Sequence, residues 1–286
     1  MNLPIDGNLK GRICLVTGAS AGIGKEIARG LARLGGTVVL AVRSAARGET
    51  AQKEIIESTK NSDVHVMLVD LASQRSIREF AAEFDRRYEK LHVLINNAGV
   101  WTTQKRLSPD GIELMWATNV LGYHLLTKLL LPKLRASAPA RIINVASTAA
   151  KGLDLTDVQY ERRKYNDFTA YSQTKQANRM LSWDLAEKLQ GSGVTVTAGN
   201  PGLIKSELAR ETSGVFGAIF GLLQAIMAKS PAQGADTFVW MAAAKELEGV
   251  SNKFFSERTE MACSFRDPAA IRALVALCDQ QTAAAS

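Results

Sequence analysis

Short apolar segments alternate with longer amphipathic segments along the whole chain. Runs rich in β-branched residues predict strands at 13–18, 37–42, 64–69, 92–96, 141–146 and 194–199, with a seventh at 252–255. Helical periodicity predicts helices at about 22–35, 45–59, 73–88, 110–135, 169–190 and 231–245, and a last helix at 268–280. Most of the strands are apolar on both faces, which is typical of a sheet between two helix layers. The pattern therefore predicts a doubly wound, mostly parallel α/β sheet of about seven strands with helices on both faces.

Two segments interrupt this alternation, at 148–168 and 201–230. In doubly wound sheets, ligands bind beyond the carboxyl ends of the strands, so both segments are candidate walls of a substrate site. No linker, repeat or low-complexity block divides the chain. We therefore expect one domain over residues 1–286.

Composition excludes a few classes of protein. A formal net charge of +7 suggests nucleic-acid binding, but the basic residues are spread out and form no nucleic-acid module. We expect no nucleic-acid partner, since an anionic small ligand accounts for part of the charge. The three cysteines lack the spacing of metal ligands, which predicts free thiols and no metal site. The N-terminus has no secretory pattern, and the expected location is cytoplasmic.

The longest apolar run is Val215–Ala228. Its fourteen residues are fewer than the roughly 20 that cross a bilayer, so no transmembrane segment is expected. We interpret the run as a mobile cover over an apolar pocket. A plain core helix and a segment that lies on a membrane surface are the alternatives.

A glycine-rich loop, "TGASAGIG", follows the first predicted strand. Gly18, Gly22 and Gly24, with Ser20 and Ile23 between them, lead directly into a helical pattern. Glycine lets a pyrophosphate approach the backbone, and the helix N-terminus offers free N–H donors. The loop predicts a dinucleotide site, although the glycines alone would also fit a simple strand–helix turn.

The end of the second strand indicates which dinucleotide is bound. Nucleotide folds that prefer NAD place a carboxylate there, whereas Val42 is followed here by Arg43. A guanidinium matches the 2′-phosphate of NADP(H) in a bidentate manner. We predict NADP(H) over NAD(H), the alternative being that Arg43 is merely solvated.

Several motifs, in order between residues 10 and about 260, together resemble the short-chain dehydrogenase/reductase family, whose fold is Rossmann-like. The glycine loop resembles its cofactor loop. The resemblance extends to "VDLAS" with Asp70 and Leu71 as an adenine-contacting segment, "NNAG" with Asn97, Ala98 and Gly99, "NPG" with Pro201 and Gly202 facing the nicotinamide, and a catalytic set of Asn119, Ser147, Tyr171 and Lys175. The segment "SPDGIELMWATNVLGYHLLTKLLLPKL" resembles the retinol-dehydrogenase-like branch. That branch implies an apolar carbonyl or alcohol substrate and NADP(H).

The resemblance also implies roles for the catalytic set. Lys175 lowers the pKa of Tyr171 and bonds the nicotinamide ribose, while Tyr171 protonates the carbonyl oxygen that receives a hydride. Ser147 hydrogen-bonds that oxygen, and Asn119 holds a water. Two departures stand out: "NVASTAA" replaces the usual double serine, leaving Thr148 as a substitute for Ser147, and His92 stands where an aspartate is common. We expect His92 at a surface helix–strand junction.

The stretch "YERRKYNDFTAYSQTK" contains two Tyr–Lys pairs at i, i+4 spacing. Tyr160 lies thirteen residues after Ser147, the commoner family separation, but Tyr171 lies thirty before Pro201, which is also a family separation. The residues between Tyr160 and Lys164 are charged, whereas those between Tyr171 and Lys175 are uncharged and would let a cofactor approach. We predict that Tyr171 and Lys175 carry the chemistry, and that Tyr160 lies in a charged surface turn or short helix.

The proposed pocket is apolar, and its expected lining is Val100, Trp101, Leu203, Val215, Phe216, Phe220 and Leu223. A non-catalytic NADP(H) sensor, a membrane-peripheral interaction protein and an epimerase are the rival functions on the same fold. The resemblance also implies a homodimer paired through the helices at 110–135 and 169–190, unless the insert beside the second obstructs it.

Overall fold

The architecture is an eight-stranded sheet with helices on both faces. The computed structural model describes residues 5–204 and 229–283. The strand order is β3-β2-β1-β4-β5-β6-β7-β8, and every neighbouring pair is parallel except β7 and β8. The predicted doubly wound, mostly parallel fold is confirmed, with one strand more than expected.

The strands begin and end close to the positions that the apolar pattern predicts. They are β1 Ile13–Thr17, β2 Thr37–Val42, β3 Val64–Leu68, β4 Val93–Asn96, β5 Ala140–Val145, β6 Val194–Asn200, β7 Lys253–Ser256 and β8 Thr259–Met261. Cys14 of β1 pairs with Val38 on one side and Val93 on the other, so the central strands are buried between neighbours. Their carboxyl ends share one edge of the sheet.

The helices follow the predicted periodicity except at one place. They are α1 Gly22–Arg33, α2 Ala45–Thr59, α3 Gln74–Arg87, α4 Leu114–Trp116, α5 Gly122–Ala136, α6 Asp167–Lys188, α7 Pro231–Ala243 and α8 Pro268–Gln281. The single helix expected at 110–135 begins at Leu114 and contains a π-helical turn, Ala117–Leu121, before α5. No helix in the described ranges is long and apolar enough to cross a bilayer.

The sheet separates two apolar layers. One packs α1, α2 and α7 against one face, with Ile27, Ile55 and Phe238 among its fully buried side chains. The other packs α3, α5 and α6 against the opposite face, with Phe84 at its centre. A third cluster lies where α8 packs on α6, and it includes Trp183.

Two expectations about exposure are wrong. Tyr160 lies in an irregular segment with φ of 55°, as a turn would, but its side chain is only 5% exposed. His92 does stand at a junction, immediately before β4, but it is only 8% exposed. Its Nδ1 accepts a hydrogen bond of 2.9 Å from the Ile13 N–H, which replaces a solvent contact and lets the ring be buried.

Candidate active site

The glycine loop forms a cradle at the carboxyl end of β1. A Cβ on Gly24 would lie 2.4 Å from both Asn97 Nδ2 and the Gly18 carbonyl oxygen, so the backbones pack together there. Gly22 has φ of 56°, and a Cβ on it would meet no atom within 4 Å among the described residues. Helix α1 begins at Gly22 and its N-cap residue, Ala21, forms no side-chain cap.

The cradle fits a dinucleotide phosphate. Uncapped N–H groups at the start of α1 point out of a loop whose outer side has room for a ligand, and the helix dipole favours an anion there. Ser20 and Ile23 are half-buried in the same loop and first turn. The geometry is what a pyrophosphate group requires.

Arg43 and Asp70 lie after the ends of the next two strands. Arg43 follows β2, is exposed, and has no hydrogen-bond or ion-pair partner among the described residues. Asp70 follows β3, and its carboxylate accepts a 3.0 Å hydrogen bond from the Ala72 N–H. The next residue, Leu71, is buried against Gly122 of α5. Both residues lie beyond the strand ends where the resemblance places the adenosine half of the cofactor, and their contact with it stays a prediction.

The "NNAG" segment is tied to β1. The side-chain amide of Asn97 donates to the Thr17 carbonyl oxygen at 2.8 Å, and the Ala98 N–H donates to Thr17 Oγ1 at 3.0 Å. A Cβ on Gly99 would lie 4.0 Å from Lys175 Nζ. The segment thereby connects the glycine loop to the predicted catalytic lysine.

Asn119 lies in the π-helical turn and is fully buried. Its Oδ1 accepts from the Val100 N–H at 2.9 Å, and its Nδ2 donates to the Val100 carbonyl at 3.0 Å and to Thr174 Oγ1 at 3.3 Å. The side-chain amide thus holds the chain after β4 against α6. The water-holding role that the resemblance implies for Asn119 stays a prediction.

Tyr171 and Lys175 lie one turn apart on α6, so their shared helical geometry is confirmed. Lys175 is 3% exposed, and its Nζ donates to the Val145 carbonyl oxygen at 3.0 Å. The ammonium lies 5.5 Å from the centroid of the Tyr171 ring, and no carboxylate in the described ranges pairs with it. Tyr160 and Lys164 have no such helix between them.

Burial determines how this pair ionises. It lowers the pKa of Lys175 to about 8 and raises the pKa of Tyr171 to about 12. The expectation that Lys175 lowers the pKa of the phenol is wrong for this state, because desolvation disfavours the charged form of both groups. Tyr171 is therefore protonated at neutral pH, as a proton donor must be.

Ser147, Pro201 and Gly202 complete the group at the same edge of the sheet. Ser147 follows β5, two residues after the Val145 carbonyl that binds Lys175, and its Oγ accepts from the Ala149 N–H at 3.0 Å. Thr148 is exposed, and its N–H donates to Asn200 Oδ1 at 3.3 Å. Pro201 and Gly202 follow β6, and Gly202 has φ of 80°.

The predicted apolar pocket is described only in part. Val100 and Trp101 pack with Tyr165 and Tyr171 around buried Met115 and Tyr160, and Leu203 is 40% exposed. Val215, Phe216, Phe220 and Leu223 lie outside the described residues, as does the apolar run interpreted as a cover.

Trp101 and its neighbour Thr102 are fixed by residues that the sequence pattern did not indicate. The indole Nε1 donates to Asp167 Oδ2 at 3.0 Å, and the Tyr165 hydroxyl donates to the Thr102 carbonyl oxygen at 3.2 Å. Buried Glu113 accepts from the Met115 and Trp116 N–H groups, and burial raises its pKa. The aromatic residues of the insert between β5 and α6 could have indicated these contacts, because large aromatic side chains are usually buried and are uncommon in exposed loops.

These features define the class: a dinucleotide cradle and a Tyr–Lys pair at the carboxyl edge of a doubly wound sheet. The family model described as short chain dehydrogenase matches residues 12–214, and the chain belongs to that family. It is therefore an oxidoreductase that uses a nicotinamide cofactor.

Particular relatives narrow the comparison. Human Retinol dehydrogenase 13 is 44% identical over 264 residues, covering 88% of this chain and 78% of the relative. Human Retinol dehydrogenase 12 is 43% identical over 251 residues, covering 87% and 78%. The resemblance to the retinol-dehydrogenase-like branch is thereby confirmed.

Solved structures agree with the fold. An uncharacterized protein from Mycobacterium Paratuberculosis superimposes with a TM-score of 0.77 at 29% identity, covering 97% of this chain and 96% of that chain. The RhlG/NADP active-site complex of Pseudomonas aeruginosa gives 0.70 at 27% identity, covering 87% and 95%.

Proposed function

We propose that the protein is an NADP(H)-dependent oxidoreductase that interconverts an aldehyde or ketone and the corresponding alcohol on an apolar small molecule. One observation carries the proposal: Lys175 is buried without a carboxylate partner in the described ranges, one helical turn from Tyr171. Burying an ammonium in this way is costly, and such groups cluster at functional sites.

The residues around this pair have separate tasks. When bound, the nicotinamide supplies or accepts a hydride. In the reductive direction, the Tyr171 hydroxyl donates its proton to the carbonyl oxygen, and the Ser147 hydroxyl stabilises the same oxygen by a hydrogen bond. The Lys175 ammonium has donors beyond its bond to Val145, and they would hold the cofactor ribose beside Gly99.

NADP(H) is favoured over NAD(H) by Arg43. Its guanidinium is exposed beyond β2 with no ion-pair partner among the described residues, so it is available to a 2′-phosphate. The similar RhlG structure is an NADP complex, which supports the same choice. In an Arg43→Ala variant, we expect kcat/KM for NADPH to fall roughly 10- to 100-fold and kcat/KM for NADH to change little. Equal losses with both cofactors would contradict the assignment.

An apolar substrate is favoured by the surroundings of Tyr171. Val100 and Trp101 pack in the cluster that contains Tyr171, and the relatives are named as retinol dehydrogenases. A retinoid-like alcohol or aldehyde is the substrate class that these names suggest. We also propose a cytoplasmic location, which cell fractionation with detection of the native protein would test.

The test follows NADPH and NADH oxidation by absorbance across apolar aldehydes, apolar ketones and small charged keto acids. Tyr171→Phe should abolish turnover, whereas Tyr160→Phe should retain it, since Tyr160 packs against Tyr165 away from Lys175. Loss of turnover in Tyr160→Phe alone would reverse the assignment. NADPH binding without turnover across the whole panel would favour the sensor, and a preference for charged keto acids would exclude an apolar substrate.

A further inference from the structure

Trp101 lies directly on the predicted proton donor. Its indole and the Tyr171 phenol are stacked, with ring centroids 4.5 Å apart and an interplanar angle of 23°. One face of the phenol is therefore covered by an aromatic ring and closed to water and substrate. Offset stacks of this kind favour a single relative orientation of the two rings.

A hydrogen bond ties Trp101 to the helix that carries Tyr171. The indole Nε1 donates to Asp167 Oδ2 at 3.0 Å, and Asp167 is the first residue of α6. The start of α6 is itself fixed, because the Asn166 side chain accepts from the Thr169 N–H at 2.9 Å. Asp167 and Tyr171 are four residues apart on one helical face, so the tie and the phenol share a rigid support.

The insert between β5 and α6 braces the same part of the chain. The Tyr165 hydroxyl donates to the Thr102 carbonyl oxygen at 3.2 Å, and the Lys105 ammonium donates to the Tyr160 carbonyl oxygen at 3.2 Å. Tyr160 packs edge-on against Tyr165 with centroids 5.1 Å apart. Together with the Asp167 bond, these hydrogen bonds join the segment after β4 to the insert and to the first residue of α6, so the insert braces the chain as well as lining the site.

We propose that Trp101, held by Asp167, is a positioning residue that fixes the phenol of Tyr171 for proton transfer; this inference rests on the proposed function. Proton transfer requires the hydroxyl within about 2.6–3.2 Å of the reacting oxygen, so rotation of the ring out of position stops the reaction. The stack prevents that rotation from one side, and the Asp167 bond prevents the indole from leaving.

The first experiment compares kcat, KM and pH profiles. We expect Trp101→Leu to lower kcat roughly 10- to 100-fold with the KM for NADPH unchanged, because the phenol is misplaced while the cofactor site is intact. The alkaline limb of its kcat profile should move to lower pH, because water reaching the phenol removes part of the burial that raises its pKa. A fall in thermal stability with unchanged kcat and pH profile would show that Trp101 only packs, and would overturn the proposal.

The second experiment isolates the hydrogen bond without emptying the stack. Trp101→Phe keeps a ring but removes the N–H, and Asp167→Ala removes the acceptor. We expect both to lower kcat, the double variant to be no worse than the poorer single variant, and Asp167→Asn, which keeps an acceptor oxygen, to recover most of the loss in Asp167→Ala. Additive losses of kcat in the double variant, or no recovery of kcat in Asp167→Asn, would show that the hydrogen bond between Trp101 and Asp167 does not position the phenol. Glu161→Ala is the matched control in the insert, since Glu161 is exposed and its carboxylate forms no hydrogen bond or ion pair among the described residues.

A third readout does not depend on turnover. The near-ultraviolet circular dichroism of a stacked indole reports its fixed orientation, so the difference between wild type and Trp101→Phe gives the signal of Trp101. That signal should be reduced in Asp167→Ala and retained in Asp167→Asn and Glu161→Ala. An unchanged signal in Asp167→Ala would show that the Asp167 hydrogen bond does not hold Trp101. If the wild type oxidises no NADPH with any substrate, the proposed function fails. The circular-dichroism signal still tests whether Asp167 holds Trp101 in place.

Discussion

Lys175 is the residue whose chemistry conflicts most with its surroundings. Its ammonium is almost fully buried, it donates a hydrogen bond to the backbone carbonyl of Val145, and burial lowers its pKa from 10.5 to about 8. A group whose pKa falls on folding destabilises the folded state while it is charged. The penalty is complete below pH 8 and disappears as pH rises toward 10.5, and its upper bound is about 3 kcal/mol.

We therefore predict that Lys175→Met is more stable than wild type at pH 7 while it loses turnover. The gain should be about 1–2 kcal/mol, since the lost bond to Val145 offsets part of the relief. Between pH 7 and pH 9.5 the gain should vanish or reverse, because the wild-type lysine becomes neutral in the folded state over that range and the penalty falls by about 2 kcal/mol. Urea unfolding at both pH values checks this, and a variant that is less stable than wild type at pH 7 would contradict it.

The glycine loop offers a matched pair of substitutions with different consequences. Gly24→Ala would push a methyl group into the Gly18 backbone, so we expect it to lower the free energy of unfolding by about 2–3 kcal/mol. The methyl group of Gly22→Ala would meet no protein atom in the described ranges. Only the backbone strain at a φ of 56° should lower the free energy of unfolding, by about 1 kcal/mol.

Gly22→Ala should nevertheless bind NADPH at least about tenfold more weakly, because its methyl group would occupy the space that a phosphate needs. Calorimetric titration with NADPH gives the affinity, and thermal unfolding gives the stability. Wild-type affinity in Gly22→Ala would mean that the pyrophosphate lies elsewhere.

At the scale of elements, most of the fold follows from local pattern. β2 and α2 begin and end at the predicted residues, because one is a continuous apolar run and the other is capped by Ser44. β8 was missed because its three residues are all exposed and only Met261 is apolar, which is too little for a pattern. The π-helical turn was missed because it accompanies hydrogen bonds between Asn119 and Val100, which are nineteen residues apart.

In the site as well, features set by local sequence could be predicted and features set by contacts between distant segments could not. The glycine loop and the Tyr171–Lys175 pair were predictable from spacing and side-chain chemistry. Tyr160 was expected at the surface because the charged residues "ERR" follow it, yet Tyr160 and Tyr165 are held inside by partners 52 to 63 residues away. Contacts between such distant segments produce no periodic pattern in the sequence. The hydrogen bonds that hold Trp101 and its neighbours could therefore be found only in the structure.

Helix α8 carries a fully buried residue directly beside a half-buried one. Leu274 is fully buried between α8 and α6, whereas the neighbouring Val275 is half-buried. Leu274→Ala should lower the free energy of unfolding by about 2–5 kcal/mol, since it removes a core side chain and leaves a cavity. Val275→Ala should cost less than about 1.5 kcal/mol, and urea unfolding of both variants makes the comparison. Similar small losses would mean that α8 is only loosely docked.

For the molecule as a whole, α8 bears on whether two copies associate. It packs against α6 and the π-helical turn, and Asp279 at its end binds both His124 and Lys128 of α5. Trp116, next to the turn, donates to Gln281 Oε1 at 2.8 Å. The chain's own last helix thus covers part of the surface of the two long helices through which the resemblance implied pairing.

We accordingly predict that the wild-type protein is a monomer at micromolar concentration, because a second copy would have to displace α8 and its buried Leu274 and Cys278. Sedimentation velocity measures this directly. Leu274→Asp, which places a charge in the buried contact, should undock α8 and expose the apolar face beneath it, so this variant should self-associate. Val275→Asp is the matched control, since a half-buried position tolerates the same charge better. A wild-type dimer that persists at low concentration would contradict the shielding by α8 and restore the pairing that the resemblance implied.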